Sequence, residues 1–126
     1  MFYEHVIKLT TVGSAGSAAA SGVTERVING RIASIQITYT TQPATTDVTI
    51  TETGTGRAIL TLTNANSNRV LVPEIPAHST TGVALVYAAA DPVTRPIVLA
   101  GRSITIAVAQ GDAIANGVVV TIITEE

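Results

Sequence analysis

The sequence predicts an all-β fold: one antiparallel β-sandwich of eight or nine short strands. Three observations carry this reading. First, apolar and polar residues alternate through three runs between Gly30 and Leu62. These are Ile35, Ile37 and Tyr39, then Val48 and Ile50, then Ala58, Leu60 and Leu62. A period of two gives a strand one dry face and one wet face. Second, turn signals recur about every 8–12 residues, the spacing of a sandwich or small barrel. Third, Thr is the commonest residue, and Val and Ile outnumber Leu. β-branched side chains are already stiff at χ1 and suit a pleated surface.

Each element follows from its residues. Glu4 to Val12 reads as a first strand with His5, Ile7 and Leu9 on one face. Gly13 to Gly22 holds only small residues and reads as a flexible crossing. The first strand can then pair within its own chain or with a neighbouring chain. Val23 to Ile28 is a short strand, and Asn29-Gly30 tolerates positive φ, which predicts a two-residue hairpin turn. The three alternating runs follow, separated by Gln42-Pro43-Ala44 and Gly54-Thr55-Gly56. Arg69 to Val72 is a strand stopped by Pro73, and Glu74 to Gly82 reads as a long surface connection. Val83 to Tyr87 is apolar enough for a strand, and Ala88 to Pro92 turns the chain. Ile104, Ile106 and Val108 alternate again, and Val118 to Thr124 is apolar on both faces. That last pattern belongs to a strand that is central in its sheet or covered by a partner. Residues 1–22 therefore form an N-terminal strand or arm with a linker, and residues 23–126 the sandwich.

Composition narrows the function. A chain of 126 residues is one domain, 46% apolar but only 13% charged, against about 25% in ordinary soluble domains. Mean hydropathy is +0.43. So apolar a chain with so little charge points to a surface covered by other proteins. The net charge of -2, four scattered aromatic rings and no basic cluster argue against nucleic acid. Cysteine is absent, which excludes disulfides and thiolate chemistry. The first residues lack the basic start and long apolar core of a secretion signal. No apolar run approaches the roughly 18 residues of a membrane span, so no membrane association is expected.

The reactive residue types do not assemble into a motif. His5 sits on the apolar side of its strand and reads as a partly buried ring with one hydrogen bond. His78 lies in a Pro-flanked connection, and no spaced pair of histidines suggests a metal. Asp47 and Glu52 fall on opposite faces of one strand, unlike a glycosidase pair. Gly54-Thr55-Gly56 lacks the Lys and helix of a phosphate loop and reads as a turn. No activated serine elbow occurs. An enzyme is not expected, and neither is a cofactor or a metal. Arg57, Arg69, Arg95 and Arg102 adjoin turns or strand starts, where they pair with a partner's carboxylates or guard a strand end.

One family resemblance goes further. Asn29-Gly30, Ile35-x-Ile37-x-Tyr39 and Gln42-Pro43-Ala44-Thr45-Thr46-Asp47-Val48-Thr49-Ile50, with the later Val108-Ala109-Gln110-Gly111, resemble small β-sandwich structural proteins of tailed bacteriophages. The likeness covers roughly residues 22–124. It implies a jelly-roll-like capsid decoration or cement protein on the virion exterior, made in the bacterial host cytoplasm. It also implies binding across subunits of the major capsid protein, as a homo-oligomer with a trimer favoured. The expected contact residues are Phe2, Tyr3, His5, Ile75, His78 and Arg95, on residues 1–12 and the loops 74–81 and 88–96, together with Arg69 at the start of the strand before them. Deleting residues 1–12 is expected to abolish capsid binding and leave the sandwich folded. Two other readings stay open: a tail or fibre module that binds glycans, and a tail-tube or head-tail connector subunit.

Overall fold

The computed structural model describes residues 1–126, and its regular structure is β-strand throughout. The strands are β1 (Phe2–Leu9), β2 (Ala18–Val23), β3 (Ile28–Tyr39), β4 (Asp47–Glu52), β5 (Ala58–Leu62) and β6 (Arg69–Leu71). Four short strands then leave the body: β7 (Glu74–Pro76), β8 (Val86–Ala88), β9 (Asp91–Pro92) and β10 (Thr94–Pro96). The chain returns as β11 (Val98–Arg102), β12 (Ile104–Gly111) and β13 (Val118–Glu125).

Two antiparallel sheets form the sandwich. One runs β1-β13-β3, and the far side of β3 is shared by β11 and β6; the other runs β2-β12-β4-β5. Most connections cross from one sheet to the other, and only β4 and β5 follow each other as a hairpin within a sheet. The dry faces meet as a core of Ile and Val: Ile35 and Ile37 of β3, Val120 and Ile122 of β13, Ile104 and Ile106 of β12, Val48 and Ile50 of β4. Each such side chain contributes about 1.5–3 kcal/mol on burial. β13 lies between β1 and β3, so its apolar character comes from its central position. Its outer residues Val119 and Ile123 stay half-buried.

The first 22 residues are not a separate arm. β1 pairs with β13 of its own chain over its whole length, from Phe2 opposite Glu125 to Leu9 opposite Val118. Leu9, His5 and Thr11 are buried. The small-residue stretch is not a flexible crossing either. Ser14 to Ser17 close a turn, and Ala18 to Val23 pair with β12. Small side chains let β2 lie against β1: a Cβ on Gly22 would stand 2.9 Å from Leu9 Cδ2 and 3.1 Å from Ile7 Cγ2.

Asn29-Gly30 is likewise no hairpin turn but lies inside β3, where the backbone of β13 crosses close by. β3 carries an extra residue opposite the Ile123/Thr124 step. That bulge explains why Ile32 and Ile35 are both buried despite an odd spacing. A second bulge, in β5, turns Ile59 into the core and leaves Leu60 and Leu62 only half-buried. Gly54 and Gly56 sit at φ 93° and 73° in the β4–β5 hairpin, as the turn reading expected.

The segments Gln42–Ile50 and Val108–Gly111 meet in space. The buried Gln42 side chain accepts from the Asp112 N–H (2.8 Å) and donates to Thr11 Oγ1 (3.2 Å). Gln110 Nε2 donates to Asp47 Oδ2 (2.7 Å), and Asp47 Oδ1 accepts from the Asn64 N–H (2.9 Å). These polar contacts close one end of the sandwich.

Candidate interaction surface

Residues 74–96 stand off the sandwich as an arm. Its strands pair only with one another: β7 with β10, and β8 with β9. The arm is rooted where Ile75 packs on the core and Ile97 is fully buried. Thr94 Oγ1 ties the stem by donating to Glu74 Oε1 (2.7 Å). Above the stem three chain passes meet in a ring of backbone bonds. The Ala77 N–H donates to the Val93 carbonyl (2.8 Å), Val93 to Leu85 (3.0 Å), and Leu85 back to Ala77 (2.9 Å). From that ring one hairpin turns through Gly82 at φ 83° and another through Ala90 at φ 68°. The ring satisfies backbone groups that have no sheet to join. Pro76, Pro92 and Pro96 further limit the backbone freedom of the arm.

The arm exposes what a core would hide. Val83, Leu85, Val86 and Tyr87 lie in the open, and Val70, Val72 and Val98 are exposed near its root. Tyr87 is 81% exposed. Charged groups on the arm are few: Glu74, Asp91 and Arg95.

Of the expected contact residues, His78 and Arg95 lie exposed on the arm, and Ile75 is half-buried at its root. Arg69 is exposed on β6, opposite Ile37. It lies close enough to Tyr39 to oppose the upward pKa shift that burial gives that phenol. Phe2 and Tyr3 are exposed at the start of β1, away from the arm in sequence, and Arg26 stacks 4.4 Å above the Tyr3 ring. His5 is buried and does not present a surface contact. The sequence reading makes Val83 to Tyr87 a strand; only Val86–Ala88 is one, and the apolar side chains of the run are exposed. The available signal was the run's lack of alternation: it has no wet face, and no partner strand of matching length follows it.

A second polar group gathers where β1 and β13 end. His5 Nε2 lies 3.1 Å from Thr124 Oγ1 and 3.5 Å from Glu126 Oε2. Thr124 donates its hydroxyl proton to Glu126 (2.6 Å), Arg26 spans both Glu126 oxygens, and the Asn29 N–H donates to Oε1 (3.1 Å). A hydroxyl, an imidazole and a carboxylate are thus together, yet the hydroxyl and carboxylate address the same ring nitrogen. A nucleophile needs its base free to take its proton; here that proton is committed to Glu126. The arrangement anchors the chain end.

Burial alone would push the Glu126 carboxyl up. Thr124, the Asn29 N–H, Arg26 and His5 outweigh it and hold the carboxyl down at about 2. The folded value lies below the unfolded one. Its contribution to stability is therefore complete above the ordinary value of 4.5 and lost as pH falls toward about 2. Glu126→Gln should cost about 1–2 kcal/mol at neutral pH, since a charged acceptor is removed from a partly solvated cluster. It should also flatten the dependence of melting temperature on pH across that acid window. A variant that keeps the wild-type acid slope would show that another carboxylate carries it.

No family model, curated protein or solved structure matches this chain. The functional reading therefore rests on the chain's own sequence and geometry.

Proposed function

We propose that this chain is a non-enzymatic structural protein that docks on a larger protein assembly through the arm at residues 74–96. The observation that carries this is the arm itself: apolar side chains held in the open by a closed ring of backbone bonds. Monomeric soluble proteins rarely expose contiguous apolar patches beyond a few hundred Å². The arm supplies about the 20–30 residues that one side of a stable interface uses.

We further propose that the assembly is the capsid of a tailed bacteriophage, decorated from outside by a homo-oligomer of this chain. The sequence resemblance supports this. So does the strand order, which we read as jelly-roll-like with β6 and β11 as one interrupted edge strand. A protein that binds only the assembled shell stabilises that shell by mass action. Contacts repeated over many copies oppose separation of the capsid subunits together. A glycan site needs polar groups beside its aromatic platform. Tyr87 instead adjoins Val86 and Ala88, which favours protein docking.

Replacing residues 78–92 with two glycines should leave a sandwich that still melts cooperatively. Binding to undecorated capsid shells should fall by at least about a hundredfold, since a central hot spot of about 3 kcal/mol or more is removed. Undiminished binding by the shortened chain would refute the arm's role. Antibody labelling of native particles in the electron microscope tests the location: label on the tail would refute the capsid assignment.

A further inference from the structure

The outer edge of β1 is long, regular and open. Met1 and Glu126 exchange both backbone bonds, at 2.9 and 2.8 Å. In an antiparallel ladder such pairs recur at every second residue, and the β1–β13 register runs without a shift. Tyr3, His5, Ile7 and Leu9 therefore bond to β13, and the N–H and C=O of Phe2, Glu4, Val6 and Lys8 point away from the sheet. No turn or loop bond uses those groups. Two open surface grooves run beside this edge. One, of about 340 Å³, is lined by Glu4 to Ile7 and Thr24 to Arg26; the other, of about 630 Å³, includes Lys8 to Thr10 and Ala19 to Ser21. An unprotected edge of this length is a template for another strand.

The side chains on the edge identify that strand. Glu4, Val6 and Lys8 share the exposed outer face, and neither Glu4 nor Lys8 forms an ion pair within the chain. We propose that two copies pair antiparallel along β1 about a two-fold axis, Val6 against Val6, with Glu4 of each opposite Lys8 of the other. This register joins outward-pointing backbone groups on both chains, as a hydrogen-bonded ladder requires. It is also the one that charge selects. Centring the axis on Glu4 or on Lys8 sets like charges face to face. Centring it on His5 or Ile7 leaves both charges opposite uncharged residues. Such a contact is self-complementary, as a two-fold interface must be. It joins the two β13-containing sheets into one continuous sheet. It is independent of what the arm binds.

Analytical ultracentrifugation of the full chain tests this. The expected species is a dimer at micromolar concentration. Glu4→Lys and Lys8→Glu should each weaken it by roughly tenfold, because each turns both cross-strand pairs repulsive. Mixing the two single variants should restore the dimer, since every pair is then opposite in sign again. The double variant should also dimerise. Melting curves of each variant check that the exposed substitutions leave the fold intact. A monomer at all concentrations, a trimer, or a dimer indifferent to these substitutions would each overturn the pairing. The variant lacking residues 78–92 should still dimerise, so this result and the arm's capsid binding succeed or fail separately.

Discussion

Removing residues 1–12 should leave a chain with no cooperative thermal transition. β1 supplies one whole flank of hydrogen bonds to β13, the strand whose Val118, Val120 and Ile122 are fully buried. Its deletion uncovers that strand and the surface beneath Leu9 and Ile7, where β2 packs. Losing a buried Leu or Ile alone costs about 2–5 kcal/mol. Thr11 is lost as well, and Gln42 then keeps a buried amide with one partner fewer. A domain of this size has a total stability of about 5–15 kcal/mol, so the combined loss is expected to exceed it. Circular dichroism against temperature is the measurement. A sharp transition in the truncated chain would mean that the sandwich is complete without β1. The contrast with the loss of residues 78–92 is sharp, because that segment adds almost nothing to the core.

Gly30→Ala should be the most damaging single substitution, lowering the melting temperature by about 10–20 °C, equivalent to about 3–5 kcal/mol. Two effects add. Gly30 has φ 149°, a conformation that L-residues rarely adopt. A Cβ there would also collide with the Glu125 carbonyl oxygen and stand 3.0 Å from Glu126 Cα. Both are backbone, so the end of β13 must move, and the cluster of Glu126 with Arg26, Asn29 and Thr124 moves with it. Gly56→Ala separates the two effects. It has φ 73° but open space around a new Cβ, and should cost only about 1 kcal/mol. Equal losses at both sites would show that backbone conformation, not close approach, makes Gly30 necessary.

These cases mark where sequence reasoning reaches and where it stops. The alternation in Ile35-Ile37-Tyr39, Val48-Ile50 and Ile104-Ile106-Val108 told correctly which side chains enter the core, because face selection on a strand is local. The same reasoning separated Asp47 from Glu52, and put His5 on the apolar side with a hydrogen-bond partner, as found. It misplaced Asn29-Gly30, whose glycine answers to a strand about a hundred residues later rather than to a turn. It misread Gly13 to Gly22 because small residues suit a flexible linker and a tightly packed strand equally well. It misread Ile59 because a bulge shifts the period by one residue, and nothing local announces it. The arm was half legible. Its prolines marked a departure from the sandwich, but exposure of Val83 to Tyr87 depends on having no neighbouring strand to cover them.

By itself, then, the amino-acid order determined the all-β class, the inward faces of the main alternating runs and most of the core. Those properties are set by each residue and its nearest neighbours. The tertiary structure alone decided that β1 belongs to the sandwich, that Gly30 must be glycine, that residues 74–96 leave the body, and that one edge lies open. Each of these depends on which distant backbone comes to lie alongside, and no stretch of chain encodes that in its own periodicity.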